Sequence, residues 1–159
     1  MKTRIAIAFL GLAVAGRAQQ NVVDFRNGGV TFPTQADRLV YHDQVGGSKL
    51  VGTNYVAGLW FVPADDAASV DGRISPERGR QAGRLFTFRI PTTASPGTWL
   101  VSPPGNSLFT LDGVDSGAVC TLQVRVWDSV KFPAFGEAFA AGEYGASVPF
   151  AYTMPAPRM

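Results

Sequence analysis

The stretch Ala118-Val-Cys-Thr-Leu-Gln-Val-Arg-Val-Trp127 alternates without a break. Cys120, Leu122, Val124 and Val126 fall on one side, and Thr121, Gln123, Arg125 and Trp127 fall on the other. A period of two belongs to the β-strand, whose successive side chains point to opposite faces. Upstream, Lys49 to Val51 leads through Gly52 into Thr53–Val62, the longest apolar stretch outside the N-terminus. Here both sides are apolar, with Tyr55, Leu59 and Phe61 on one and Val56, Trp60 and Val62 on the other. That pattern predicts a central strand covered on both faces.

Shorter strands are read at Val23–Phe25, Arg38–His42, Arg84–Ile90, Ser107–Leu111 and Ser147–Thr153. Phe86, Phe88 and Ile90 are expected to share a face, and Val148, Phe150 and Tyr152 to point inward. Turn chemistry separates them: Gly28-Gly29, Gly46-Gly47, Asp71-Gly72, Pro96-Gly97, Pro103-Pro104-Gly105 and Asp112-Gly113. Residues 63–83 read as a long polar loop, and Ala134–Ala141 as the one short helix. The prediction is an all-β fold: a two-sheet antiparallel β-sandwich, Ig-like or jelly-roll-like, with no internal repeat.

The chain opens Met-Lys-Thr-Arg, continues with an uncharged apolar run from Ile5 to Ala15, and exits through Gly16-Arg17-Ala18. Basic start, apolar middle and small residues at the exit make a secretory signal, with cleavage expected after Ala18. The run is shorter than the roughly 20 residues a spanning helix needs. Residues 1–18 are thus read as a signal peptide, 19–153 as one domain and 154–159 as a frayed tail. Taking Lys2, Arg4 and Arg17 from fourteen basic residues leaves eleven against twelve acidic ones, a net charge of −1. The basic balance of the full chain resides in the signal. The remaining basic residues are scattered, which argues against nucleic-acid or anionic-membrane partners. The expected destination is secreted, periplasmic or cell-surface. With Cys120 as the lone cysteine, no internal disulfide can form.

Three segments resemble a group of uncharacterised exported bacterial proteins, many of which carry a PEP-CTERM sorting tail. They are Lys49-Leu-Val-Gly-Thr-Asn-Tyr-Val-Ala-Gly-Leu-Trp60, Leu122-Gln-Val-Arg-Val-Trp-Asp128 and Glu143-Tyr-Gly-Ala-Ser147. Val23-Asp24-Phe25 is similar to that group's opening strand. The resemblance implies export and a β-sandwich, and no activity. This sequence ends Met154-Pro-Ala-Pro-Arg-Met without a hydrophobic span. It therefore reads as a freely secreted member, or as one whose tail lies outside this sequence.

Candidate chemistry is sparse. His42, the only histidine, is followed by Asp43, but no nucleophile motif accompanies the pair. Cys120 shares its strand face with Leu122 and Val124, so it reads as core. Asp65, Asp66 and Asp71 are acidic enough for a loop-bound calcium ion, as are Asp112 and Asp115, but none follows a spaced calcium-loop motif. Arg73, Arg78, Arg80 and Arg84 form a local basic excess, diluted by Glu77. No motif calls for a cofactor. Among Trp60, Trp99 and Trp127, Trp60 reads as core. Trp99 is expected near a sheet rim, and Trp127 beside Arg125, which can stack on it. Exposed aromatics of this kind stack on sugars, and Trp99, Trp127, Tyr41 and Arg125 are the candidate set; the leading reading for all three tryptophans is packing at a second sheet interface or under a loop. The readings are a non-catalytic structural, adhesive or matrix-type protein, a carbohydrate-binding module, and a secreted hydrolase using paired acids. Polysaccharide or another extracellular or surface protein is the expected partner.

Overall fold

The computed structural model describes residues 6–7, 22–28, 38–63, 79–103 and 106–156. Its centre is one antiparallel pair. Strand β4 (Tyr55–Pro63) runs against β7 (Val119–Asp128), in unbroken register from Tyr55 opposite Asp128 to Pro63 opposite Cys120. β5 (Arg80–Thr87) lies on the other side of β4, with a register shift between Ala57 and Leu59. The far side of β7 is shared by two short strands, β8 (Tyr144–Ala146) against Arg125–Trp127 and β9 (Phe150–Thr153) against Val119–Leu122. This gives a five-stranded antiparallel sheet.

One face of that sheet carries Ala57, Leu59, Phe61, Ala82, Phe86, Cys120, Leu122, Val124 and Val126, all buried. Opposite lies the second layer, a two-stranded antiparallel sheet of β2 (Val22–Asp24) and β6 (Leu108–Thr110). Phe25, Phe109 and Phe86 meet between the layers, with Phe86 stacked on Phe109 at 5.6 Å. The fold is an all-β, sandwich-like pair of antiparallel sheets with one short helix, α1 (Phe135–Ala141). The second layer is narrower than a full sandwich sheet. Non-strand segments around Leu50, Phe88 and Trp99 complete its cover.

Two further residues, Ala6–Ile7 (β1), pair with β3 (Val40–Tyr41) and lie against β8. Both fall in the apolar run read as an export signal. Among the described residues no helix is long and apolar enough to cross a membrane.

Several expectations change. β5 begins at Arg80, so the strand takes in Arg80–Gly83, which reads as loop in the sequence. Gly83 explains why its pattern is hard to see. It has a left-handed φ of +58°, and an added Cβ would lie 2.3 Å from the Phe109 ring. Only glycine satisfies both constraints, and a strand broken this way loses its alternation. Ile90 is exposed, because the chain turns after Phe88. Val148 is 81% exposed, because Ser147 and Pro149 separate β8 from β9. Phe150 and Tyr152 do face the core, half-buried.

A buried side chain ties the second layer together. The Asn27 amide donates to the carbonyls of Arg38 (3.2 Å) and Gly97 (3.0 Å), and its oxygen accepts from the Trp99 N–H (3.0 Å). Three distant segments thus share one satisfied amide. Removing it leaves the buried Trp99 N–H without this partner, at about 1–3 kcal/mol, and takes one of two donors from the Gly97 carbonyl, which keeps the Val40 N–H. Asn27→Ala is expected to lower the unfolding free energy by about 2–4 kcal/mol in urea denaturation. Lys49→Ala, on an exposed side chain, is expected to change it by less than about 0.5 kcal/mol.

Candidate functional site

The four residues that the sequence offers as a sugar platform do not form one. Trp99 is 2% exposed, Trp127 2%, Tyr41 5% and Arg125 1%. Trp99 lies on one face of the main sheet and Trp127 and Arg125 on the other, while Tyr41 belongs to the separate β1–β3 pair. Trp99 belongs to the inter-layer core, stacked on Phe25 at 4.6 Å and edge-on to Phe88 at 6.2 Å. Its Nε1–H donates to the Phe25 carbonyl at 3.3 Å. The rim position expected from the Pro96-Gly97 turn is therefore replaced by a core position. Phe25 and Asn27 hold the ring side and the backbone side of the residue.

Trp127 and Arg125 occupy the opposite face, beneath α1. Trp127 meets Trp60 edge-on at 5.8 Å and Phe135 at 5.6 Å, and its Nε1–H donates to the Phe132 carbonyl at 2.9 Å. The Arg125 guanidinium sits over Trp60 at 4.8 Å and over Phe135 at 4.6 Å. It does not take Trp127 as its stacking partner, as strand spacing alone suggests. In the β4–β7 register Arg125 lies opposite Gly58, and Trp60 crosses the space that glycine leaves. A Cβ at Gly58 would lie 2.5 Å from the Trp60 ring and 2.6 Å from Leu85. A glycine inside an apolar strand marks such a close approach. That signal stands in Ala57-Gly58-Leu59.

The Arg125 Nε donates to Gln123 Oε1 at 3.0 Å, and the Gln123 amide donates to the Ser147 carbonyl at 3.1 Å. Burial lowers the guanidinium pKa to about 10, while Tyr144 acts in the opposite direction. At neutral pH the side chain is thus a buried cation flanked by ring faces, an arrangement worth about 2 kcal/mol or more when desolvated. Its chemical effect is to pin α1 to the sheet. Phe139 and Tyr144, 5.0 Å apart, extend the aromatic cluster toward solvent.

Polar groups converge at one end of the main sheet. The Asn54 amide donates to Asp128 Oδ2 at 2.7 Å, and Asp128 Oδ1 accepts from the N–H groups of Val130 and Lys131 at 3.0 Å each. Lys131 bridges to Glu143. Both Asp128 oxygens are therefore used in holding the turn into α1. Tyr55 lies beside this turn, and its pKa is raised, first by burial and then by Asp128. The His42 ring meets Tyr55 edge-on at 5.8 Å. Asp43 is exposed, and the His42 backbone N–H donates to the Ser48 carbonyl. The sequence points to His42 and Asp43. It gives no signal for Asn54, Tyr55, Asp128 and Glu143, which tertiary pairing of β4 and β7 brings together.

Among the described residues no three His, Cys, Asp or Glu side chains are grouped to hold a metal ion. The candidate calcium ligands Asp65, Asp66 and Asp71, with Arg73 and Arg78, lie outside the described residues. Asp112 and Asp115 are exposed. The Arg80 guanidinium donates to the Asp112 carbonyl at 3.2 Å, and Arg84 to the Ser102 carbonyl at 2.6 Å. Comparison with protein-family models, curated proteins and solved structures finds no match for this chain.

Cys120 is fully buried, and desolvation raises its thiol pKa from 9.0 to about 11. The unfolded chain ionises this thiol first, so stability from the neutral form is intact below pH 9 and declines as pH rises toward 11. Wild type is expected to lose on the order of 2–3 kcal/mol over that interval relative to Cys120→Ala, in paired denaturation curves. Trp127→Ala should cost about 3–5 kcal/mol and release α1, seen as lost hydrogen-exchange protection over residues 135–141.

Proposed function

We propose that this chain is an exported, non-catalytic domain with a structural, adhesive or extracellular-matrix role. The observation that carries this reading is the burial of Trp99 on one face of the sheet and of Trp127 and Arg125 on the other. A sugar-stacking site needs ring faces open to the ligand. These rings are spent on joining the layers and docking α1. The polar cluster at the sheet end supports the same reading, because Asp128 is committed to the turn that follows β7.

The export part rests on the basic, apolar and small-residue order of residues 1–18 and on the resemblance to exported bacterial proteins. A buried thiol suits that destination. Cys120 is shielded from disulfide exchange, which requires an accessible thiolate.

Two measurements test the proposal. Expressed with its own leader in a bacterial host, the chain should be recovered from the periplasm or medium with Gln19 as its first residue. Recovery of an intact Met1 chain from the cytoplasm alone would remove the export reading. On a glycan array followed by calorimetry, the domain should give no saturable polysaccharide binding. Binding that Trp99→Ala or Trp127→Ala abolishes, in variants still folded by circular dichroism, would replace it with the carbohydrate-binding reading.

A further inference from the structure

The two edges of the five-stranded sheet are chemically opposite. The β5 edge, Arg80-Gln-Ala-Gly-Arg-Leu-Phe-Thr87, carries two arginines, each tied to a carbonyl on a neighbouring segment. Charged side chains on an edge oppose pairing with another copy. The other edge is Tyr144-Gly-Ala-Ser-Val-Pro-Phe-Ala-Tyr-Thr153, ten residues without a charge. Among the described residues β8 and β9 hydrogen-bond, as ladder strands, only to β7.

The phase of the β9 ladder is set at its end. The Met154 N–H donates to the Ala118 carbonyl at 2.8 Å, one step beyond the Val119–Thr153 pair. In an antiparallel ladder, backbone groups point alternately toward and away from the partner strand. Those of Phe150 and Tyr152 therefore face β7, and those of Ala151 and Thr153 face outward. Both of these residues are exposed. Val119, opposite Thr153, and Val148, just before β9, add exposed apolar surface beside them. Pro149 and Pro155 bracket this window, so only one short register is open to a partner.

The geometry points to the outer edge of β9 as a self-association surface, on which β9 of a second copy adds antiparallel and joins two five-stranded sheets. The occupant follows from charge. An uncharged edge meets its own copy without repulsion, whereas the β5 edge would set arginines against arginines. The inference stands on the edge itself and does not depend on export or on a matrix role.

Sedimentation velocity on the full chain and on residues 19–159 tests it. Both should show a concentration-dependent monomer–dimer equilibrium, with a dissociation constant on the order of micromolar, as befits a small interface. Ala151→Pro removes an outward N–H and no bond to β7, and Ala151→Lys adds a charge to an exposed position. Each should weaken the dimer at least about tenfold with the monomer fold intact by circular dichroism. Arg84→Glu, on the opposite edge, should leave the equilibrium unchanged. A monomer persisting to about 1 mM, or a dimer that both Ala151 variants leave intact, overturns the proposal. So does a dimer that only Arg84→Glu disrupts.

Discussion

The register between β4 and β7 governs the rest of the molecule. It sets Gly58 opposite Arg125 and Val56 opposite Trp127 on one face, and Leu59 opposite Val124 on the other. Because side chains alternate with period two, a slip of one residue would exchange the two faces completely. The apolar inter-layer core would then receive Arg125 and Gln123. Such a slip would bury a guanidinium among Leu59, Phe61 and Phe86 with no ring sandwich to hold it. Burying an uncompensated charge costs several kcal/mol, so the register is strongly specified.

Each face of this pair is closed by a different device. On one, Phe25 just after β2, Phe109 of β6 and Trp99 interleave with the sheet, and Asn27 ties the backbone segments together. On the other, a buried cation between Trp60 and Phe135 docks a seven-residue helix. So short a helix has little stability alone, and its persistence depends on this packing. The turn leading to it is held by Asp128, accepting from two backbone N–H groups in the manner of an Asx turn.

The functional reading follows from where aromatic residues go. A domain of this size has few large rings, and here the tryptophans are consumed in holding layers and helix together. Among the described residues the main sheet keeps one arginine-bearing edge and one uncharged edge. The two edges differ in what they admit. Arginines held against neighbouring carbonyls guard one side, and a five-residue window between Pro149 and Pro155 is left on the other. The proposed self-association uses one of these margins, where backbone groups would be the recognition elements.

How much was legible depended on whether a signal was local. The alternation of residues 118–127, the two apolar faces of β4, the short helix near residues 134–141 and the core position of Cys120 could all be read from spacing, since period and hydrophobicity are properties of consecutive residues. The exposure of Ile90 and Val148 could not, because a strand pattern does not reveal where pairing stops. Packing reads as the leading role of all three tryptophans, but what covers Trp127 was equally out of reach. An aromatic on the polar side of a strand reads as surface until something covers it, and here the cover is α1, reached only after the chain turns back over β7. Asn27 looked ordinary in one dimension and became critical where segments about seventy residues apart met. By itself the sequence determined the all-β class, the two central strands and which of their faces are apolar. The tertiary structure alone decided which faces are covered, because burial depends on long-range neighbours that no local pattern contains.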